Sequence, residues 1–403
     1  MHFTASNNDC GVREYDMDGF QLVNHYLFIR PVNFHNYMAE YGDISDSSDH
    51  TYEETDDEDQ IGYGSIRPLL KQEPVKIFRA FVEGMRLTRE QYRRGRLIQY
   101  VNYEDIPLSG QTADMIYKQT SKGGTYYDFF HNSRAVTPTA VHFQLRNMVC
   151  ATSKHDVYVV SNDSIMHWSS VSQNLTEILN FSGHVAPTEK HDGSLLEGFM
   201  QTDISTLAVN DDFLVAGGAE GELVCKKLYQ QGVCFCTRVI NEDNALTTAI
   251  KIYPALSGGK HFLTSNNDCG VREYDMDGFQ LVNHFRFPWP VNHISLSPDR
   301  KLIAVVGDHL NGLLVDSSSG KRAATVEGHL DYSFASAWHP DGRIFATGNQ
   351  DKTCRLWDIR NLATSVSVLK GNMVAVRSVR FSSDGQFLVV AEAADFVMST
   401  TPS

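Results

Sequence analysis

The sequence predicts an all-β fold, an array of six to seven repeated four-stranded units, and three observations carry that prediction. Beyond Val136 the chain is written in short stretches of alternating apolar and polar residues punctuated by Gly, Asn, Asp and Ser, the pattern of half-buried strands joined by tight turns. The centres of these stretches recur at roughly 40 to 45 residues, the length of one four-stranded propeller blade. The word SNNDCGVREYDMDGFQLVNH is also printed twice without a difference, from Ser6 to His25 and from Ser265 to His284.

Stacked repeats share apolar and turn positions because each fills an equivalent slot, but packing never demands identical exposed residues. Duplication or misplacement therefore explains the first copy better than physics does. Residues 1–37 are read as a displaced duplicate of the unit at 260–296. Residues 38–84 follow, containing the row from Glu40 to Asp59, EYGDISDSSDHTYEETDDED. It holds no Lys or Arg and little to bury, so it is expected to stay solvated and disordered. The sign then reverses over 85–135. Met85 to Gln99 carries Arg86, Arg89, Arg93, Arg94 and Arg96, with Leu87, Tyr92 and Leu97 at helical spacing and Thr88 placed to cap, which predicts a short basic helix before a lead-in. Residues 136–403 form the repeat array.

Composition narrows the function. With 42% apolar and 11% aromatic residues the 403-residue chain can bury a large core. No apolar run approaches the roughly 18 residues of a membrane span, so no membrane association is expected. The start MHFTASNNDCG has neither the basic nor the apolar part of a secretory signal, and a cytoplasmic or nuclear location, or both, is expected. Seven cysteines, an odd number without CxxC pairs, fit reduced thiols. The close pair Cys234 and Cys236 reads as buried apolar residues rather than metal ligands. A net charge of −14 opposes adhesion to phosphate backbones, so no direct nucleic-acid partner is expected. Enzyme signatures are missing: there is no GxxxxGK[ST], HExxH or GxSxG. Gly217 to Gly221 sits between two short strands with no helix N-terminus to hold an anion, and Asp275 to Gly278 lacks the remaining ligands of a calcium loop. Neither catalytic residue, cofactor nor metal is expected.

One stretch decides the kind of repeat. Gly328-His329, Asp341-Gly342 and ATGNQDKTCRLWDIR from Ala346 to Arg360 resemble a WD40 repeat almost position by position. The resemblance implies a buried hydrogen-bonded chain of His329, Thr347, Asp351 and Trp357, structural rather than catalytic. Buried polar groups cost free energy unless paired, and a fully paired network fixes one strand register. Other blades are degenerate: Gly183-His184 keeps a turn, Ser297-Pro298-Asp299 keeps a hairpin, and Tyr274-Asp275 stands where Trp-Asp would be. Over Met38 to Phe396 the chain resembles a WD-repeat (transducin-like) family of plants and fungi with an acidic N-terminal head, most densely at HFQLRN, SGHVAP, GSLLEGF, FRFPWPVNH, SFASAWHPDG and ATGNQDKTCR. The resemblance implies further strands beyond Val397, so the last blade of the propeller reads as truncated. Either the chain stops early, or CGVREYDM and QLVNHYLF of the displaced copy complete that blade.

The function implied is recognition: a non-catalytic protein-interaction scaffold, its partner a protein. By resemblance, Tyr332, Phe334 and Gln350 lie on the top surface of the clearest blade and are candidate contacts. Trp289, bracketed by prolines, is a further candidate as a partly exposed anchor. Leu356 to Arg360 resembles the WDxR box by which some WD40 proteins dock onto the propeller adaptor of a cullin-RING ubiquitin ligase, with Arg360 the contact residue. Substrate receptor of such a ligase is thus the alternative. A third reading, a propeller enzyme with a central metal, needs converging carboxylates or histidines.

Overall fold

Apolar alternation over five or six residues followed by a turn residue folds the chain back on itself, and almost every strand pairs with its neighbour in sequence. A computed structural model describes residues 2–7, 11–16, 27–28, 103–117, 128–133, 147–239, 245–255, 258–371, 374–392 and 397–400. The acidic row Glu40 to Asp59 and the basic segment Met85 to Gln99 lie outside the described residues.

The first sheet contains β1 (His2–Asn7), β2 (Gly11–Asp16), β3 (Leu27–Phe28) and β4 (Asp128–Ser133), in the order β3-β1-β2-β4. Helix α1 (Ser109–Ile116) precedes β4 in the chain. Six meander sheets follow. They are β5 (Val149–Ala151), β6 (Asp156–Ser161), β7 (Ser164–Ser169) and β8 (Asn174–Asn180); β9 (Ile204–Asn210), β10 (Phe213–Gly218), β11 (Glu222–Lys227) and β12 (Phe235–Arg238); and β13 (Thr247–Pro254), β14 (Lys260–Asn266), β15 (Gly270–Asp275) and β16 (Leu281–Arg286). Next come β17 (Val291–Leu296), β18 (Leu302–Gly307), β19 (Gly312–Asp316) and β20 (Arg322–Val326); then β21 (Ser333–Trp338), β22 (Ile344–Asn349), β23 (Thr353–Asp358) and β24 (Ser367–Lys370). The last is three-stranded: β25 (Val376–Phe381), β26 (Leu388–Glu392) and β27 (Val397–Thr400).

The first strands of these six sheets, β5, β9, β13, β17, β21 and β25, are neighbours in succession and form an inner wall. Arg380 on β25 donates to Asn147 Oδ1 at 3.2 Å, just ahead of β5, so the last sheet meets the start of the first. This is a β-propeller.

The core lies between blades, and the period-2 pattern explains why. Leu214 packs with Val160, Ile165 and Phe181 toward one neighbour, whereas Val215 packs with Phe262 and Tyr274 toward the other. Phe262 and Leu263 part in the same way, as do Phe345 and Ala346, and Leu356 and Trp357. Each inner-blade strand is apolar on both faces, as a strand sandwiched between two sheets must be.

The duplicated word builds the same hairpin twice. In the first copy Phe3 faces Tyr15, Ala5 faces Arg13 and Asn7 faces Gly11; in the second, Phe262 faces Tyr274, Thr264 faces Arg272 and Ser265 faces Val271, the identical register. The third partner differs. β15 takes the adjacent β16, but β2 takes β4. The strands of the first copy pair in a sheet of their own rather than in the last blade. Gly11–Asp16 is paired on both edges, by β1 and β4, and β25–β27 remain a three-stranded sheet among the described residues. The β1–β2 hairpin is local and closes at little entropic cost, whereas β4 joins β2 from more than a hundred residues away. The stretch read as a lead-in also contains more order than expected, since α1 and β4 both fall within it. No helix among the described residues is long and apolar enough to cross a membrane.

Candidate interaction face

Strands β22 and β23 pair Phe345 with Trp357 and Thr347 with Arg355, which places the Trp357 indole beneath the Thr347 side chain. Trp357 Nε1–H donates to Thr347 Oγ1 at 2.8 Å. His329 Nε2 lies 2.7 Å from the same hydroxyl, and its Nδ1 lies 3.1 Å from Asp351 Oδ2. One proton arrangement satisfies every member: the Thr347 hydroxyl donates to Nε2, and Nδ1–H donates to Asp351. The carboxylate further accepts the backbone N–H of Leu330 and both the N–H and hydroxyl of Thr353. Burial acts to raise the Asp351 pKa, but His329 and these donors outweigh it and hold the carboxyl below its ordinary value. All four residues that the sequence grouped are together and buried, so they fix the loop ends of this blade rather than face a ligand.

Those loop ends carry the face. The turn before β21 supplies Asp331, and the turn between β22 and β23 supplies Gln350 and Lys352. The chain's own segment 103–117 lies across them. Asp331 Oδ2 accepts the Ser109 hydroxyl at 2.5 Å and the Ile106 N–H at 3.2 Å. Gln350 Nε2 donates to the Tyr103 carbonyl. Asp114 receives the ammonium groups of Lys370 at 2.7 Å and Lys352 at 3.5 Å. Arg355 covers the Tyr117 ring at 4.9 Å and donates to its hydroxyl. At Gly110 an added Cβ would stand 2.6 Å from Lys352 Cε and from Glu104 Oε1, so α1 lies close against these two side chains. Burial, together with the nearby Asp351 charge, pushes the Asp331 carboxyl above its usual range in spite of its three hydrogen bonds. The face thus pairs one acceptor, Asp331, with a cationic rim of Lys352, Arg355 and Lys370.

The other sequence-named contacts fall differently. Tyr332 is half-buried beside Asp331, with its carbonyl accepting the Gln350 N–H. Gln350 itself is buried under Tyr103 rather than displayed. Phe334 is 5% exposed with the Arg377 guanidinium 4.1 Å above its ring, so it belongs to blade packing. Trp289, expected to be partly exposed, is 6% exposed and packs with Val291 and Leu263. The reason is Gly307: a Cβ there would come within 2.6 Å of the indole, and its absence lets the ring lie flat on the neighbouring backbone. Arg360 is 65% exposed, but its Nε and Nη2 both donate to the Asp358 carboxylate two residues back. Segment 103–117 was missed by sequence reasoning, and no local signal marks it.

Among the described residues no group of three or more His, Cys, Asp or Glu could hold a metal ion. Burial pushes the Cys234 thiol up to about 11 and Cys236 up to about 12, which leaves both protonated and inert near neutrality.

Residues 320–358 and 363–397 match the family described as WD domain, G-beta repeat. The chain carries WD40 repeats. Over 131 residues this chain is 30% identical to eukaryotic translation initiation factor 3 subunit I of Anopheles gambiae, covering 29% of this chain and 40% of that protein. Over 102 residues it is 32% identical to DDB1- and CUL4-associated factor 10 of Homo sapiens, covering 25% of this chain and 18% of that one. The chain therefore spans less than half the length of these curated relatives. The WD40 β-propeller domain of Doa1 aligns with a TM-score of 0.44 at 18% identity, over 62% of this chain and 90% of that domain. WD40 repeats and WD-repeat relatives support a protein-interaction scaffold.

Proposed function

We propose that this WD40 propeller is a non-catalytic scaffold that binds short peptide segments of partner proteins at the end of the blade bearing Asp331, Lys352, Arg355 and Lys370. The supporting observation is segment 103–117, which engages that face with a hydroxyl and an amide on Asp331 and a carboxylate between two lysines. A partner that offers the same chemistry competes with the chain's own segment. Asp331→Ala removes the acceptor of two hydrogen bonds, each worth about 1.5–3 kcal/mol when one partner is charged. Expected is a rise of roughly tenfold or more in the rate at which protease cleaves within 103–117, together with weaker capture of a partner that needs the same acceptor. Unchanged cleavage and unchanged capture would refute the reading.

A second reading has its own observation. Arg360 is displayed on the outside of the blade, in the motif that resembles the WDxR box, and a DDB1- and CUL4-associated factor is among the relatives. We propose docking to a cullin-RING adaptor as the alternative role. Arg360→Ala is expected to abolish co-precipitation of the adaptor while thermal unfolding stays within a degree or so of the parent, because exposed ion pairs add little stability. Retention of the adaptor by the variant, or no binding by the parent, ends that reading. Cytoplasm and nucleus are the proposed compartments, to be checked by imaging the tagged full chain.

A further inference from the structure

Helix α1 meets the propeller through small and polar residues and turns its apolar ones to solvent, the reverse of an ordinary surface helix. Ser109, Gly110 and Ala113 are buried, Asp114 lies between the ammonium groups of Lys352 and Lys370, and the Arg355 guanidinium covers Tyr117. Leu108, Met115 and Ile116 are exposed. At 3.6 residues per turn, or about 100° per residue, the five inward residues fall within about 140° of the helix circumference, and Met115 and Ile116 fall outside that arc.

The spacing of the contacts belongs to a helix. The Ser109 hydroxyl reaches Asp331 at 2.5 Å, and five residues later the Asp114 carboxylate reaches Lys370 at 2.7 Å. Five residues rise about 7.5 Å in a helix and about 16 Å in a strand, so an extended chain with the same residue order cannot set both groups on the same two points. The Thr112 amide bonds to the Leu108 carbonyl and the Tyr117 amide to the Ala113 carbonyl, each at 2.9 Å, so α1 pairs its own backbone. Its inward surface is also weakly apolar. Release of α1 exposes one alanine methyl and one tyrosine ring as apolar surface, so burial does little to hold it, and a helix with the same polar pattern can take its place.

We infer that the face around Asp331 is shaped for a helix and that its partner, given the peptide-docking role proposed above, is an α-helical segment with a hydroxyl residue at i, a small residue at i+4 and an acidic residue at i+5. Each position follows from a contact of α1. Asp331 is an acceptor and calls for the donor that Ser109 supplies, the full burial of Ala113 leaves room for a small side chain, and the two lysines call for the carboxylate of Asp114.

The test adds a fluorescent peptide of residues 103–117 to the full chain carrying Ser109→Ala and Asp114→Ala, which weaken the hold of its own segment, and reads anisotropy. Saturable binding is expected. Asp114→Asn in the peptide should weaken it about tenfold, the loss of one charge-assisted contact. Met115→Pro should weaken it about tenfold or more, because proline has no N–H and its ring clashes with the preceding helical turn. Met115→Ala should bind as the parent peptide does, since Met115 is 80% exposed. Equal binding of the Met115→Pro and parent peptides overturns the helical partner and leaves the docking role standing. No saturable binding of the parent peptide by a full-chain variant with native circular dichroism also overturns it, while the docking role is judged separately by cleavage and capture in Asp331→Ala.

Discussion

Asp351→Ala should destabilise the protein by about 3–5 kcal/mol, the cost of removing a buried ionised acceptor and leaving its donors unpaired. The side chain has no exposed surface, and its loss strands four donors at once: His329 Nδ1–H, the Leu330 and Thr353 amides and the Thr353 hydroxyl. Against a typical total of about 5–15 kcal/mol this is a large fraction, and urea-induced unfolding of parent and variant measures it directly. Thr347→Val interrupts the same chain one link further on and should cost less, about 1–3 kcal/mol, because it strands only the indole N–H and one imidazole nitrogen. The pH dependence follows in sign from the depressed carboxyl of Asp351. A folded pKa below the unfolded value contributes stability that is present above the unfolded pKa and is lost as pH falls through the folded one. Parent stability should therefore decline as pH drops below the ordinary carboxylate range, and Asp351→Asn should show a shallower decline. Equal acid limbs for the two proteins would mean that the network is not ionised as described.

What was legible in the sequence is what a specific hydrogen-bond chain demands. His329, Thr347, Asp351 and Trp357 are readable because no other residue types satisfy one another in that order, and the blade period is readable because each blade is apolar on both faces. Helix α1 was not. Its N-cap, Leu108, has left-handed φ of 65° and makes no side-chain capping bond, and the helix has no acidic first turn or basic last turn. Its start signal comes from the turn before β21, where Asp331 takes the Ser109 hydroxyl and the Ile106 amide. Tertiary contact supplies what local sequence lacks. Trp289 was misplaced for a related reason: its flanking prolines describe a loop, while its burial is decided by a glycine in β18 that the local sequence does not show. The strand pairing of the displaced copy is half legible, because the hairpin is local but its third strand lies more than a hundred residues away.

Arg272→Met should cost about 3–5 kcal/mol as well, although the blade concerned keeps only Thr264 and Asp268 at the positions of Thr347 and Asp351 and has Tyr274 for the tryptophan. There Tyr274 replaces the tryptophan and stacks on Phe262, with ring centroids 5.0 Å apart. The polar interior is instead a bidentate pair, Arg272 Nη1 and Nη2 on the two oxygens of Asp268, with only 4% and 9% of the two side chains exposed. Asp268 also accepts the Gly270 amide at 3.0 Å, which ties the pair to the turn between β14 and β15. Burial acts to raise its pKa, but Arg272 more than compensates and the carboxyl is held low. Without the arginine, burial is opposed only by the Gly270 amide and the nearby His284, so the folded pKa of Asp268 should rise. The stability gap between parent and Arg272→Met should then narrow as pH falls toward about 4, because protonation costs the parent an ion pair and relieves the variant of a buried charge. The double variant Asp268→Asn, Arg272→Met should recover most of the loss, since replacing both members of a buried pair is often nearly neutral. A double variant no more stable than Arg272→Met would mean that the arginine stem, packed in the blade, carries the stability rather than its charge.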